Sequence, residues 1–124
     1  MPKNNKDDAI KPSETMHESY SRTSIGRAGE SLVNCTNKIG RDTPEYLEAH
    51  KALSYWRACH IAPMDEAFSE LAAVTLADKT VILAKRLKRT PSIITKLVRH
   101  KGIQLQNMQD IGGCRAILRT YILG

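Results

Sequence analysis

The 124-residue chain has few aromatic side chains and lacks any long apolar run. It contains one Phe and one Trp, so the core is expected to be built from aliphatic side chains. No segment approaches the ~20 consecutive apolar residues of a transmembrane helix, and residues 1–20 lack the apolar region of a secretory signal. These absences argue against a membrane protein and predict a cytoplasmic chain with one small domain.

Cysteine and histidine are also sparse, and neither is clustered. The three cysteines are odd in number and show no paired spacing, which favours reduced thiols. Structural zinc sites need ligands at short, regular spacings, and the four histidines are scattered along the chain. A metal site built from Cys or His is therefore not expected.

Acidic residues are nearly missing from the second part of the chain. Residues 79–124 contain ten Lys or Arg and a single acid, Asp110, which gives a net charge of +9, whereas residues 1–78 carry −3. A field this positive favours a polyanionic partner such as a nucleoside triphosphate, a nucleic acid or an anionic membrane. A solvated basic surface is the commoner explanation of such a run of charges. The spacing of the charges must therefore decide between such a surface and a binding site for a polyanion.

The first part of the chain predicts a tail followed by helices. Residues 1–24 are polar and are expected to form a flexible tail. Residues 25–78 predict a helical lead-in, with a short helix over 27–34, a second over 45–59 and a third over 64–76 that Pro63 delimits.

Two features specify the longer helices of this lead-in. Thr43 followed by Pro44 is typical of a helix N-cap with proline at the first helical position. The residues expected to be buried in the second helix are Tyr46, Leu47, Leu53 and Trp56, and Phe68, Leu71 and Thr75 share a face of the third.

The pattern changes to strand, helix and strand over residues 79–124. Residues 80–88 begin with a short apolar, partly β-branched run, and residues 113–119 predict a second, adjacent strand. Thr90 and Pro91 repeat the cap-and-proline pattern before a helix over 91–100, which is expected to pack across the strands. Its apolar face carries Ile93, Ile94 and Leu97. An α+β fold with helices packed on a sheet follows.

Cationic side chains recur at spacings that bring them together. Arg86 and Lys88 project from the same side of a strand, because strand side chains alternate between faces. Ser92, Lys96 and Arg99 share one face of the following helix, with Ser92 in the first turn, where unpaired N–H groups favour anions. Each feature taken alone is more often an exposed basic surface or ordinary helix capping.

Asp110 is the only carboxylate in this basic region and precedes two glycines, where the backbone can approach a ligand closely. Mg²⁺ is usually held by one or two carboxylates together with phosphate oxygens, so Asp110 is a candidate magnesium ligand. An Asp that caps a turn or pairs with Arg115 is an equally good explanation.

Two motifs in this region resemble those of RelA/SpoT-type alarmone synthetases. Residues 86–96, RLKRTPSIITK, resemble the family signature R-x-K-x-x-x-S-x-x-x-K, and residues 110–115, DIGGCR, resemble D-[IL]-x-[AG]-x-R. The motifs occur in the family's order and at about its separation. Residues 55–64 also look like the helical lead-in of single-domain members, and the resemblance covers roughly residues 46–118.

The resemblance implies an enzyme that transfers pyrophosphate from ATP to the 3′-hydroxyl of GDP or GTP, with one Mg²⁺ and a nucleotidyltransferase-like mixed sheet. ATP and a guanine nucleotide would be its partners, and homo-oligomerisation stays open. Carried over by position, Arg86, Lys88, Ser92, Lys96 and Arg115 would bind ATP, the two arginines at the adenine and the other three at the phosphates. Asp110 would be the magnesium ligand and the catalytic carboxylate.

One departure from the family concerns its second half. Members carry a tyrosine that stacks on guanine and a glutamate in an E-x-Q-x-R-like motif, and neither has a counterpart here. Residues 79–124 are therefore expected to be the first part of a truncated synthetase domain, inactive as a fragment. The alternatives are a basic nucleic-acid-binding module, with a recognition helix opening at Thr90, and an antitoxin-like interaction protein.

Overall fold

The structure, a computed structural model, describes residues 19–119. These residues form four α-helices and two β-strands, so the predicted α+β class is confirmed. The helices are α1 (Arg22–Asn34), α2 (Pro44–Ala58), α3 (Ile61–Val74) and α4 (Thr90–Arg99), and the strands are β1 (Ile82–Leu87) and β2 (Gly112–Ile117). A π-helical turn, Cys35–Ile39, follows α1, and a 3-10 turn, Leu105–Asn107, precedes β2.

Side-chain caps fix the starts of α1 and α2. The Thr43 hydroxyl accepts a hydrogen bond of 3.1 Å from the Tyr46 N–H, which confirms the predicted cap of α2. Ser21 caps α1 in the same way through the Ser24 N–H at 3.0 Å. The helix therefore starts at Arg22, and the prediction of a tail reaching residue 24 is wrong over its last three residues. Residues 1–18 of that tail lie outside the described residues.

Two other predicted helix starts are also wrong. Pro63 does not delimit α3, which already begins at Ile61. A proline in the first turn is tolerated because the N–H that it lacks would have no intrahelical partner there. Thr90 is the first residue of α4 rather than its cap, and the cap position is Arg89, whose side chain makes no capping hydrogen bond.

The core lies between α1, α2, α4 and the 3-10 turn and is aliphatic within the described residues, as predicted. Its completely buried side chains include Ile25, Leu32, Leu53, Ile93, Leu105 and Ile111. Tyr46 and Trp56 are half-buried at its margin. Leu47 was predicted to be buried but is 57% exposed, because at ~100° per residue it lies about 160° around α2 from Ala49 and about 120° from Leu53.

The two strands are adjacent, as predicted, and they pair antiparallel. The register runs from Ile82 opposite Ile117 to Leu87 opposite Gly112. Beyond the last pair, the Lys88 N–H donates to the Ile111 carbonyl at 2.6 Å, so the pairing continues into the segment that carries Asp110.

Helix α3, rather than α4, covers the sheet. Lys85 of β1 pairs with Asp65 of α3 at 2.7 Å and lies over the Phe68 ring, 5.1 Å from its centroid. Helix α4 packs mainly against α1 and α2 through the three residues predicted for its apolar face, Ile93, Ile94 and Leu97. Among residues 19–119, none of the helices combines the length and apolarity that crossing a membrane requires.

Candidate functional site

A groove of about 520 Å³ lies along the sheet at the end where β1 leads into Lys88. Directly opposed residues of antiparallel strands point to the same face, so Arg86 stands beside Gly113, and Arg115 stands beside Ala84. The two exposed guanidinium side chains therefore flank a floor of small residues. The groove is lined by Ala84, Lys85, Arg86, Lys88, Asp110, Gly112, Gly113, Cys114 and Arg115.

Two lysines converge on one carboxylate oxygen at the edge of this groove. Asp110 Oδ2 accepts a hydrogen bond from Lys96 Nζ at 2.7 Å and lies 3.3 Å from Lys88 Nζ. We call Lys88, Lys96 and Asp110 the clasp. Its lysine side chains are mostly covered, at 23% exposed for Lys88 and 32% for Lys96, while Asp110 is 46% exposed.

The clasp keeps Asp110 ionised. The hydrogen bond from Lys96 lowers the pKa of Asp110 below its ordinary value, partial burial opposes that shift, and Lys88 adds to the lowering. At neutral pH the clasp therefore holds two ammonium groups and one carboxylate, and its net charge is +1. Arg86 and Arg115 add two more positive charges along the groove.

Contacts of neighbouring groups set the positions of Asp110 and Lys88. Asp110 directly precedes Ile111, whose completely buried side chain anchors the turn into β2. Lys88 is held on both sides of its backbone, because its N–H donates to Ile111 and its carbonyl accepts from Arg57 Nε of α2 at 2.7 Å. Sequence reasoning missed Arg57, since a lone arginine in the last turn of a helix gives no signal of a contact 31 residues away.

Ser92 lies apart from the groove. It lines a neighbouring depression of about 370 Å³ together with Pro91, Thr95, Lys96, Arg99 and His100. Lys96 joins the two hollows, since it lines the second and bonds to Asp110, which lines the first. The structure thus brings together in one groove four of the predicted site residues, Arg86, Lys88, Asp110 and Arg115. Lys96 lies at the border of the groove, and Ser92 lies one helical turn before Lys96 in α4, outside the groove.

The clasp suits a metal ion only when phosphate oxygens accompany it. Among residues 19–119, no three His, Cys, Asp or Glu side chains are grouped so that they could hold a metal ion. One carboxylate is nevertheless enough for Mg²⁺ that brings a polyphosphate, because Mg²⁺ commonly combines one or two carboxylates with substrate phosphates and water. Asp110 fits that arrangement, and the lysines beside it would meet the phosphates.

Neither a scan against protein-family models nor a search of curated proteins gives a match to this chain. The assignment of a function therefore depends on the groove, the clasp and the two sequence motifs that supply their residues.

Proposed function

We propose that the groove and the clasp bind the triphosphate of ATP with Mg²⁺, as the donor site of a RelA/SpoT-type pyrophosphotransferase acting on a guanine nucleotide. The observation that carries the proposal is the convergence of Lys88 and Lys96 on Asp110 Oδ2. A strand end, a helix and a loop contribute these residues, and both sequence motifs meet at that point.

The cations of the site suit a phosphate chain. Lys88 and Lys96 would each bind phosphate oxygens. A phosphate chain that extends past Lys96 would enter the neighbouring depression, where Ser92 offers a hydroxyl in the first turn of α4. In pyrophosphate transfer the protein acts mainly by positioning the phosphates and neutralising their charge, which two lysines on separate elements can do. When bound, Mg²⁺ would add charge neutralisation on the phosphates, with Asp110 as its protein ligand.

The arginines suit the other end of the nucleotide. Arg86 and Arg115 are exposed on either side of the flat floor formed by Ala84 and Gly113. A planar guanidinium stacks on aromatic faces as well as donating hydrogen bonds, so the pair would hold a base such as adenine. The antiparallel β1–β2 pair would then be part of a nucleotidyltransferase-like sheet.

The acceptor half of the reaction is not provided by the same groove. Among the described residues that line it, Asp110 is the only carboxylate and none is aromatic. A positioned proton acceptor typically contributes ~10²–10⁴-fold to a rate, and a guanine needs a surface on which to stack. We therefore propose that these 124 residues bind the donor nucleotide and transfer pyrophosphate slowly or not at all.

The test is calorimetric titration of the chain with a non-hydrolysable ATP analogue and Mg²⁺. Lys88→Ala and Lys96→Ala should each weaken binding at least ~10-fold, since a hydrogen bond to a charged group is worth ~1.5–3 kcal/mol. Lys51→Ala is the matched control, because Lys51 pairs with Glu48 on the exposed side of α2. Equal affinities in all four proteins would refute the donor site.

Turnover is tested separately with labelled ATP, GDP or GTP and Mg²⁺, followed by separation of the guanine nucleotides. A pyrophosphorylated product that disappears in Asp110→Asn would refute the proposed inactivity while supporting the site. Absence of product together with lysine-dependent ATP binding is the expected result.

The basic depression along α4 supports a second candidate, a nucleic-acid-binding surface. Lys96, Arg99 and His100 line it in a row that could follow a phosphate backbone. Duplex binding whose affinity falls steeply with salt, and which ATP does not displace, would favour this function over the donor site.

A further inference from the structure

We infer that the clasp couples metal binding to phosphate binding: without phosphate, Lys88 and Lys96 occupy Asp110 and keep divalent cations out, and a polyphosphate draws the lysines away and frees the carboxylate. The inference deepens the proposed function and rests on it, because the coupled ligands are the phosphate chain and the metal of the donor site.

The shared oxygen is the first argument. Both ammonium groups contact Asp110 Oδ2, at 2.7 Å from Lys96 and 3.3 Å from Lys88. A cation bound to this carboxylate would lie within a few ångströms of two positive charges, and like charges this close repel strongly at a partly covered site. The two lysines therefore lower the affinity of Asp110 for a divalent cation in two ways: they occupy the carboxylate oxygen, and their positive charges repel the cation.

The second argument is that the same lysines are the phosphate ligands of the proposed site. An ammonium group that bonds a phosphate oxygen has a new anionic partner and no longer depends on Asp110. The phosphate chain also supplies oxygen ligands and negative charge for the cation. Phosphate binding therefore releases Asp110 from the lysines and also adds negative oxygen ligands that attract the cation.

Asp65, the carboxylate that pairs with Lys85 of β1, cannot replace Asp110 as the metal ligand of the groove. Asp65 is bound to Lys85 at 2.7 Å beneath the sheet, on the α3 side, whereas Arg86 and Arg115 face the opposite side. Among the described residues that line the groove, Asp110 is thus the carboxylate available to a metal. By thermodynamic linkage, phosphate must raise the affinity for the cation by the same factor as the cation raises the affinity for phosphate.

The experiment uses Mn²⁺ as the metal and inorganic triphosphate as the phosphate probe, so that neither adenine recognition nor turnover enters. Paramagnetic broadening of the amide resonances of Ile111, Gly112 and Gly113 reports Mn²⁺ bound beside Asp110. In the wild-type chain, triphosphate should lower the Mn²⁺ concentration needed for half-maximal broadening at least ~10-fold.

The variants separate the clasp from a simple metal–phosphate complex. In Lys88→Gln/Lys96→Gln, Mn²⁺ without triphosphate should broaden these resonances at a concentration at least ~10-fold lower than in the wild type, and Asp110→Asn should abolish that gain. Each single Lys→Gln variant should show part of this gain in Mn²⁺ affinity. The single variants therefore provide the test if the double variant does not fold. Lys51→Ala should behave as the wild type does.

Wild-type broadening that is equally sensitive to Mn²⁺ with and without triphosphate would overturn the inference, as would lysine variants that gain no Mn²⁺ affinity. These outcomes are distinct from failure of the proposed function. A chain that gains Mn²⁺ binding in the lysine variants but does not bind ATP would keep the clasp and refute the nucleotide site.

Discussion

Arg57 Nε donates a hydrogen bond of 2.7 Å to the main-chain carbonyl of Lys88, which ties the last turn of α2 to the end of β1. Lys88 is also held by the Ile111 carbonyl through its own N–H. The ammonium group that reaches Asp110 therefore extends from a backbone fixed on two sides. Arg57 is a positioning residue, because it acts on the clasp through the Lys88 main chain.

Replacing Arg57 should weaken the site as well as the fold. We expect Arg57→Ala to lower the free energy of unfolding by ~1–3 kcal/mol, because the Lys88 carbonyl loses a charge-assisted donor. The loss of a fixed Lys88 should also reduce ATP-analogue affinity several-fold, as measured by calorimetry at a temperature where the variant is fully folded. Arg57→Lys should retain part of the stability and part of the ATP-analogue affinity. Replacement of the exposed Arg41 by Ala should change neither the stability nor the affinity. A loss of stability with unchanged affinity would limit Arg57 to a structural role.

The two lysines should contribute unequally to the acidity of Asp110. The hydrogen bond from Lys96 is the largest single cause of the lowered pKa, ahead of the hydrogen bond and the charge of Lys88. A carboxyl NMR titration should therefore show a larger rise of the Asp110 pKa in Lys96→Ala than in Lys88→Ala. The reverse order would show that the 3.3 Å contact from Lys88 dominates in solution.

The same pairing predicts a pH dependence of stability. Because the pKa of Asp110 is lower in the folded chain, the stabilising contribution is fully present above the unfolded value of ~3.9 and is lost as pH falls through the folded value. Asp110 is 46% exposed, so solvent screening keeps the contribution below ~1 kcal/mol. Denaturant titrations of the wild type and Asp110→Asn should differ slightly at pH 7 and converge on acidification below pH ~4. A difference that grows toward low pH would contradict the clasp.

Two leucines of α2 provide a matched test of the core. Leu53 is completely buried and Leu47 is 57% exposed. Leu53→Ala should destabilise the fold by ~2–5 kcal/mol, the usual effect of removing buried methyl groups and leaving a cavity. Leu47→Ala should change the free energy of unfolding by less than ~0.5 kcal/mol. Similar losses in the two variants, measured by chemical denaturation, would contradict the packing of α2.

Two glycines of α1 test the contact with the 3-10 turn. A Cβ at Gly29 would lie 2.9 Å from the Cβ of the buried Leu105, so Gly29→Ala must displace the turn and should destabilise the fold despite the better helix propensity of alanine. At Gly26 the added atom would meet the amide end of Gln106, which can rotate away. Gly26→Ala should therefore lower the midpoint of thermal unfolding less than Gly29→Ala does. A larger decrease for Gly26→Ala would contradict this packing.

Local periodicity predicted the parts of the site that depend on one element or on neighbouring elements. Alternation along β1 put Arg86 and Lys88 on one side, and the helix predicted between Thr90 and Gly102 positioned Lys96. Contacts between distant segments left no such signal. The Arg57 bond, the covering of the sheet by α3 and the separation of Ser92 from the groove all depend on how helices pack. The start of α2, which the Thr43 side chain caps, was predicted correctly. The start of α1 was predicted five residues too late although Ser21 caps it, and Pro63 was interpreted as a break although it lies in the first turn of α3.

The residues that line the groove all lie between positions 84 and 115, and the innermost strand pair, Leu87 and Gly112, encloses residues 88–111. Closing a loop of this modest length costs little more than closing a shorter one, since each doubling adds only ~0.6 kcal/mol of entropy. Residues 22–58 are synthesised before the residues that line the groove, and α1 and α2 contribute much of the buried core. We expect the helical layer to form before the groove during synthesis, and the groove to close onto Arg57 in a late and rapid folding step.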